Sequence, residues 1–203
     1  MKIIYGGEPL KTAKAAMVML HGRGADAEDI MSVSKYFDSE KIAYVALQAP
    51  GNAWYPSSFM QPIERNEIQL KESLNIIQQA VELIEKESIR TSRIFLFGFS
   101  QGACLAVQYA ATHPKKYAGI FSIAGGLIGE TPGTFSGELE GTRVFFGCAE
   151  HDPYIPKKRV EESAVIFQKI GAIVTTKIYP GDAHTINDDE IEIVNEIVKK
   201  IID

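Results

Sequence analysis

A chain of 203 residues with 45% hydrophobic and 23% charged side chains has the size and balance of a single folded domain, 1–203, which excludes a disordered or low-complexity segment. A formal net charge of -5 without any basic run argues against nucleic acid or an anionic membrane surface as the main partner. No apolar run approaches the roughly 18 residues of a bilayer span, and Met1 leads into a strand pattern rather than a basic and then apolar leader, so a cytoplasmic protein without an integral membrane segment is expected.

In chain order, Lys2 to Tyr5 reads as a short strand closed by a turn at Gly6-Gly7, and Ala15 to Leu20 as a buried strand. That strand runs into His21-Gly22-Arg23-Gly24, whose glycines let backbone come close to a ligand. The Arg23 N–H is the natural hydrogen-bond donor of such a loop. An ordinary glycine turn is the alternative, and the choice depends on what the chain supplies further on. Ala27 to Phe37 is predicted as a helix with Asp26 as N-cap, and Ile42 to Leu47 as another buried strand. Between Gln48 and Pro62, the prolines at 50, 56 and 62 and the large side chains of Trp54, Tyr55, Phe59 and Met60 preclude a regular element. This loop is expected to wall a site for an acyl or aromatic group; a loop pinned by its own aromatics is the competing reading.

The spacing of Leu70, Leu74, Ile77, Val81 and Ile84 predicts a helix over Asn66 to Glu87 with that face in the core. Arg93 to Phe97 then predicts a strand buried on both sides, opening into Gly98-Phe99-Ser100-Gln101-Gly102. Gly-x-Ser-x-Gly between a strand and a helix is the pattern of a nucleophilic serine on a tight, strained turn, where neighbouring backbone approaches too closely to admit side chains two residues either side. The Gln101 amide, in the first turn of the following helix, has no intrahelical acceptor and could face an oxyanion. Ala103, Cys104, Ala106, Val107 and Ala110 give that helix small residues for packing on a sheet, up to His113-Pro114.

Tyr117 to Ala124 reads as a strand, followed by the glycine-rich stretch from Gly125 to Gly141, either a lid or a wall. Thr142 to Phe146 is a further strand released into a loop carrying Glu150, His151 and Asp152. Pro156 starts a helix stopped by Gly171, and Ile173 to Tyr179 is the last strand. Asn187 to Glu190 has the form of a capping box for the closing helix. Cys104 and Cys148 read as buried thiols rather than a disulfide or metal pair. Alternating strands and helices imply an α/β class with a doubly wound, mainly parallel sheet and helices on both faces.

Ligands of such sheets gather at the carboxyl ends of strands. Ser100 needs a base there, and of His21, His113, His151 and His184 only His184 follows the last strand. The chain order serine, acid, histidine is met by Ser100, Asp152 and His184. Among the acids, Asp152 sits in a defined turn before a proline, whereas Asp182 would have to reach back and Glu150 competes from the same loop. His184 would take the Ser100 proton and Asp152 would orient the imidazole.

Leu20-His-Gly-Arg-Gly24, Trp54-Tyr-Pro with Phe59, Gly98-Phe-Ser-Gln-Gly102, Asp152-Pro-x-Ile-Pro156 and Ala183-His184 together resemble the phospholipase/carboxylesterase family of α/β-hydrolases. The resemblance covers nearly the whole chain in order. It implies the α/β-hydrolase fold and a Ser-Asp-His hydrolase of short or medium acyl esters, with a small-molecule ester as partner and neither cofactor nor metal. Arg23 stands where the thioesterase branch has an apolar residue, and the chain is compact, so a small-ester carboxylesterase is expected rather than a depalmitoylating enzyme. The Arg23 side chain has two readings, an ion pair with a nearby carboxylate or contact with an anionic substrate group. Thioester or lysophospholipid hydrolysis by the same residues is the rival activity. A non-catalytic ligand-binding protein on the same scaffold is the rival of another class. A homodimer stays open.

Overall fold

Among the described residues, seven strands form one sheet in the order β1-β3-β2-β4-β5-β6-β7. The computed structural model describes residues 2–38 and 40–202; the expectation about a leader at Met1 lies outside them. β2 (Ala15–Leu20), β3 (Ile42–Leu47), β4 (Ile94–Phe99), β5 (Gly119–Ile123), β6 (Arg143–Ala149) and β7 (Ile173–Tyr179) are parallel, and only β1 (Ile3–Gly7) runs antiparallel, against β3. β2, β3 and β5 are buried at every residue, which is why they read as unbroken apolar runs.

Alternation along β2 divides the core between the two faces. Ala16, Val18 and Leu20 point toward α2 (Glu67–Lys86), α3 (Gln101–Thr112) and α4 (Lys157–Lys169). Ala15, Met17 and Met19 point toward α1 (Ala27–Ser32) and α5 (Asp188–Ile202). In α3 every residue but Thr112 is buried, and its small side chains allow the close approach to β4 that the sequence suggested. On the opposite face Phe95, Phe97 and Phe121 pack with ring centroids 5.8 to 6.4 Å apart. Each such ring removed from water contributes about 1.5–3 kcal/mol.

Several boundaries differ from the sequence reading. Gly6 and Gly7 extend β1, paired with Tyr44 and Ala43, and do not form a turn. The helix expected over Ala27 to Phe37 stops at Ser32, and a 3-10 turn spans Val33–Tyr36. The Ser32 hydroxyl folds back on the Asp29 carbonyl, and the tighter turn delivers Phe37 into the core against Tyr44 and Phe97. The inward face of α2 is centred on Leu70, Ser73, Ile77, Ala80, Val81 and Ile84, with Leu74 on its flank. β6 continues three residues past Phe146, which carries Cys148 inside the sheet.

At the start of α5 the expected capping box is present: Asn187 N–H donates to Glu190 Oε2 and Glu190 N–H to Asn187 Oδ1. Glu190 is buried, and burial pushes its carboxyl up to about 7, with the Asp189 charge adding to the rise and the Asn187 amide opposing it. Among the described residues no helix is long and apolar enough to cross a membrane. The parallel register leaves the ends of β2, β4, β6 and β7 on one sheet edge, where the loops carrying residues 21–24, 98–102, 150–156 and 180–187 meet.

Candidate active site

Ser100 stands at the junction of β4 and α3 with φ 54° and ψ -118°, a left-handed backbone that a non-glycine residue adopts only under strain. The packing around it explains the two glycines. A Cβ on Gly98 would lie 2.3 Å from the Gly102 carbonyl oxygen, and one on Gly102 would lie 2.2 Å from that of Leu20. Hydrogen bonds from Ser100 N–H to the Ile123 carbonyl at 2.9 Å and from Cys104 N–H to the Ser100 carbonyl at 3.0 Å hold the turn from both sides.

His184, in the loop after β7, lies with Nε2 2.9 Å from Ser100 Oγ and Nδ1 2.7 Å from Asp152 Oδ2. A carboxylate only accepts, so Nδ1 carries the proton and Nε2 is left to accept from the serine hydroxyl. The Asp152 side chain is wholly buried. Its other oxygen accepts the amides of Tyr154 and Ile155, each at 2.9 Å, so the Asp-Pro-x-Ile turn fixes the carboxylate before the histidine arrives. The imidazole is flanked by Phe99, 5.0 Å away between centroids, and by the edge-on ring of Tyr154 at 4.9 Å. The competing residues take no part in this series. Glu150 pairs with Lys157, His113 stacks on Tyr109, and His151 meets the Gly181 carbonyl only through its backbone amide.

His21 shapes the loop after β2. Its Nε2 accepts the Ala49 amide, so its Nδ1 donates to the Gly22 carbonyl at 2.7 Å and holds that oxygen in place. Burial pushes the His21 imidazole below its ordinary range and keeps it neutral for this role. A Cβ on Gly22 would lie 3.4 Å from that of Ser100, so the two loops touch. The backbone amides of Arg23 and Gln101 meet no acceptor among the described residues, and both residues line the cleft beside Ser100.

The loop between β3 and α2 is tied to these elements. The Trp54 indole N–H donates to the His21 carbonyl at 2.9 Å, and its backbone N–H to Gln101 Oε1 at 2.9 Å. Gln101 Nε2 donates to the Tyr55 carbonyl, and the Ser73 hydroxyl of α2 to the Trp54 carbonyl. Asn66 closes the loop by accepting from the Ser57 amide and donating to the Ser58 carbonyl. The bridging parts of Gln101, Ser73 and Asn66 were not foreseen; their only trace in the sequence is a polar side chain at a position that periodicity or a turn would bury.

A cleft of about 490 Å³ opens above Ser100, lined by Arg23, Tyr55, Ser57, Phe59, Phe99, Tyr154, Ile155 and their neighbours. Of the four residues expected to wall it, Tyr55 and Phe59 do; Trp54 and Met60 do not. Trp54 is fully buried because its indole is spent on the His21 carbonyl, and Met60 packs against the core. Cys104 also lines the cleft, and burial pushes its thiol up to about 11, so it offers no thiolate there. None of residues 125–141 lines it. Arg159, itself buried, donates to the carbonyls of Leu127, Gly129 and Glu130 and packs over the Phe59 ring, so that stretch supports the wall from behind. Among the described residues no group of three His, Cys, Asp or Glu side chains is placed to hold a metal ion.

The phospholipase/carboxylesterase family model matches residues 7–202. The chain belongs to this family. It has the α/β-hydrolase fold. The crystal structure of a phospholipase/carboxylesterase from Dyadobacter fermentans is similar to it with a TM-score of 0.95 and 41% identity, covering 98% of this chain and 96% of that one. Acyl-protein thioesterase 1 of Saccharomyces cerevisiae is 31% identical over 134 residues, 63% of this chain and 58% of the yeast protein, so the match spans little more than half that protein's length. The enzyme of the same name from Kluyveromyces lactis is 25% identical over 212 residues, 94% of this chain and 93% of its own length.

Proposed function

We propose that this family member is a serine carboxylesterase that cleaves short- to medium-chain carboxylic esters through an acyl-enzyme. The observation that carries the reading is the hydrogen-bonded series Ser100, His184, Asp152 beside two unpaired amides in one cleft. Ser100 Oγ attacks the ester carbonyl as its proton passes to His184 Nε2, and the Asp152 carboxylate holds the resulting imidazolium. The Arg23 and Gln101 amides receive the oxyanion. Collapse breaks the acyl–oxygen bond, and the leaving alcohol takes the proton from Nε2. Water repeats the cycle to release the acid and restore the serine. Tyr55 and Phe59 supply apolar contact for the acyl chain.

A second reading, thioester hydrolysis by the same residues, is favoured by the names of the two yeast relatives. Both readings are tested by nitrophenyl esters from acetate to palmitate and matching thioesters, with Ser100→Ala beside the wild type. The expected result is turnover that peaks at short or medium chains and is lost in Ser100→Ala. A higher kcat/KM on thioesters would favour the second reading. Absence of Ser100-dependent turnover on every substrate would refute both.

A further inference from the structure

We propose that the Arg23 side chain makes the cleft select esters that carry a second, anionic group, a carboxylate above all. The inference rests on the proposed hydrolase site and names the substrate class it takes. Arg23 is exposed, yet its guanidinium is held in place: Nη2 donates to the Tyr55 carbonyl at 2.6 Å and to the Ser57 carbonyl at 3.3 Å. These acceptors are neutral. The ion pair with a carboxylate that the sequence allowed is absent among the described residues, and the Nε and Nη1 donors have no acceptor there either. Asp26, three residues on, uses its carboxylate to cap α1.

The lining of the cleft gives this charge its meaning. Among the described residues, those that line it include no Asp, Glu or Lys, so Arg23 is the one permanent charge found on the wall there, in a protein whose formal net charge is -5. A fixed guanidinium with free N–H groups, beside serine hydroxyls and without a counter-ion, is a receptor for a planar anion. A neutral acyl chain gains nothing from it. Because two carbonyls of the substrate-side loop already orient the fork, little side-chain freedom is lost when the anion arrives.

The test compares matched esters. 4-Nitrophenyl hydrogen adipate and 4-nitrophenyl methyl adipate differ in charge on the acyl side; 4-acetoxybenzoate and its methyl ester differ on the alcohol side. For wild type, kcat/KM should favour the anionic member of one pair by about tenfold to a hundredfold, the range of a charge-assisted hydrogen bond. The pair that responds tells which part of the substrate faces Arg23. That preference should shrink as salt is added. Arg23→Gln should bring the ratio near unity, and Arg23→Lys should retain part of it. The ratio is the readout because disturbance of the residue's own amide slows both members of a pair alike. Wild type showing no preference for an anionic member in either pair, or Arg23→Gln keeping the wild-type ratio, overturns the inference and leaves the esterase reading standing. No Ser100-dependent turnover of any of the four esters overturns both.

Discussion

At the scale of single residues, Asp152 is the side chain whose chemistry is most constrained. One oxygen takes two backbone amides and the other takes the His184 Nδ1–H, so its charge and orientation are both in use. Asp152→Asn should lower kcat by up to about 10⁴-fold, because an amide NH₂ facing Nδ1 imposes the wrong tautomer on the imidazole. Glu150→Gln and Asp182→Asn should stay within a few-fold of wild type, as measured by steady-state kinetics on one nitrophenyl ester. The order of serine, acid and histidine along the chain was enough to bring these three residues forward, since each sits at the end of a recognisable strand. The side chain of Gln101 is not legible in the sequence for the opposite reason: its bonds go to Trp54 and Tyr55, 47 and 46 positions away, and no local pattern signals a long-range amide bridge.

At the scale of elements, the loop between β3 and α2 behaves as a clamp. Trp54 links it to the turn after β2, Gln101 links it to the elbow, and Ser73 links it to α2. Trp54→Phe removes the donor from a buried carbonyl at His21 and should destabilise the protein by about 1–3 kcal/mol in urea denaturation. The same change should lower kcat more than it raises KM, because it frees the turn that bears the Arg23 amide, whereas the loop with Tyr55 and Phe59 stays tied through Gln101, Ser73 and Asn66. The strands themselves were legible because burial on both faces leaves only apolar residues. The break between α1 and its 3-10 continuation was not, since the position of Phe37 is decided by Tyr44 and Phe97 across the sheet. Likewise the aromatic cluster of residues 54–60 was visible as a group, but which rings face the cleft depends on the indole hydrogen bond.

At the scale of the whole molecule, Glu190 ties stability to pH. Its folded carboxyl titrates at about 7 against an ordinary 4.5, so the native state holds the proton more tightly than the unfolded chain. The stability this adds is complete below about 4.5 and is lost as pH rises to about 7. Glu190→Gln, which stays neutral, should therefore exceed wild type in thermal midpoint at pH 8 and match it near pH 5, with a gap of at most about 3 kcal/mol. Equal differences at both pH values would exclude the effect. The left-handed backbone at position 100 sets a second global balance, between durability and work. Glycine adopts that conformation freely, so Ser100→Gly should melt at a higher temperature than Ser100→Ala, which keeps the Cβ, by the equivalent of about 1 kcal/mol. Heating a mixture of the intact protein and its glycine variant would leave the idle form as the survivor, because the residue proposed to carry turnover is also one that the fold would be more comfortable without.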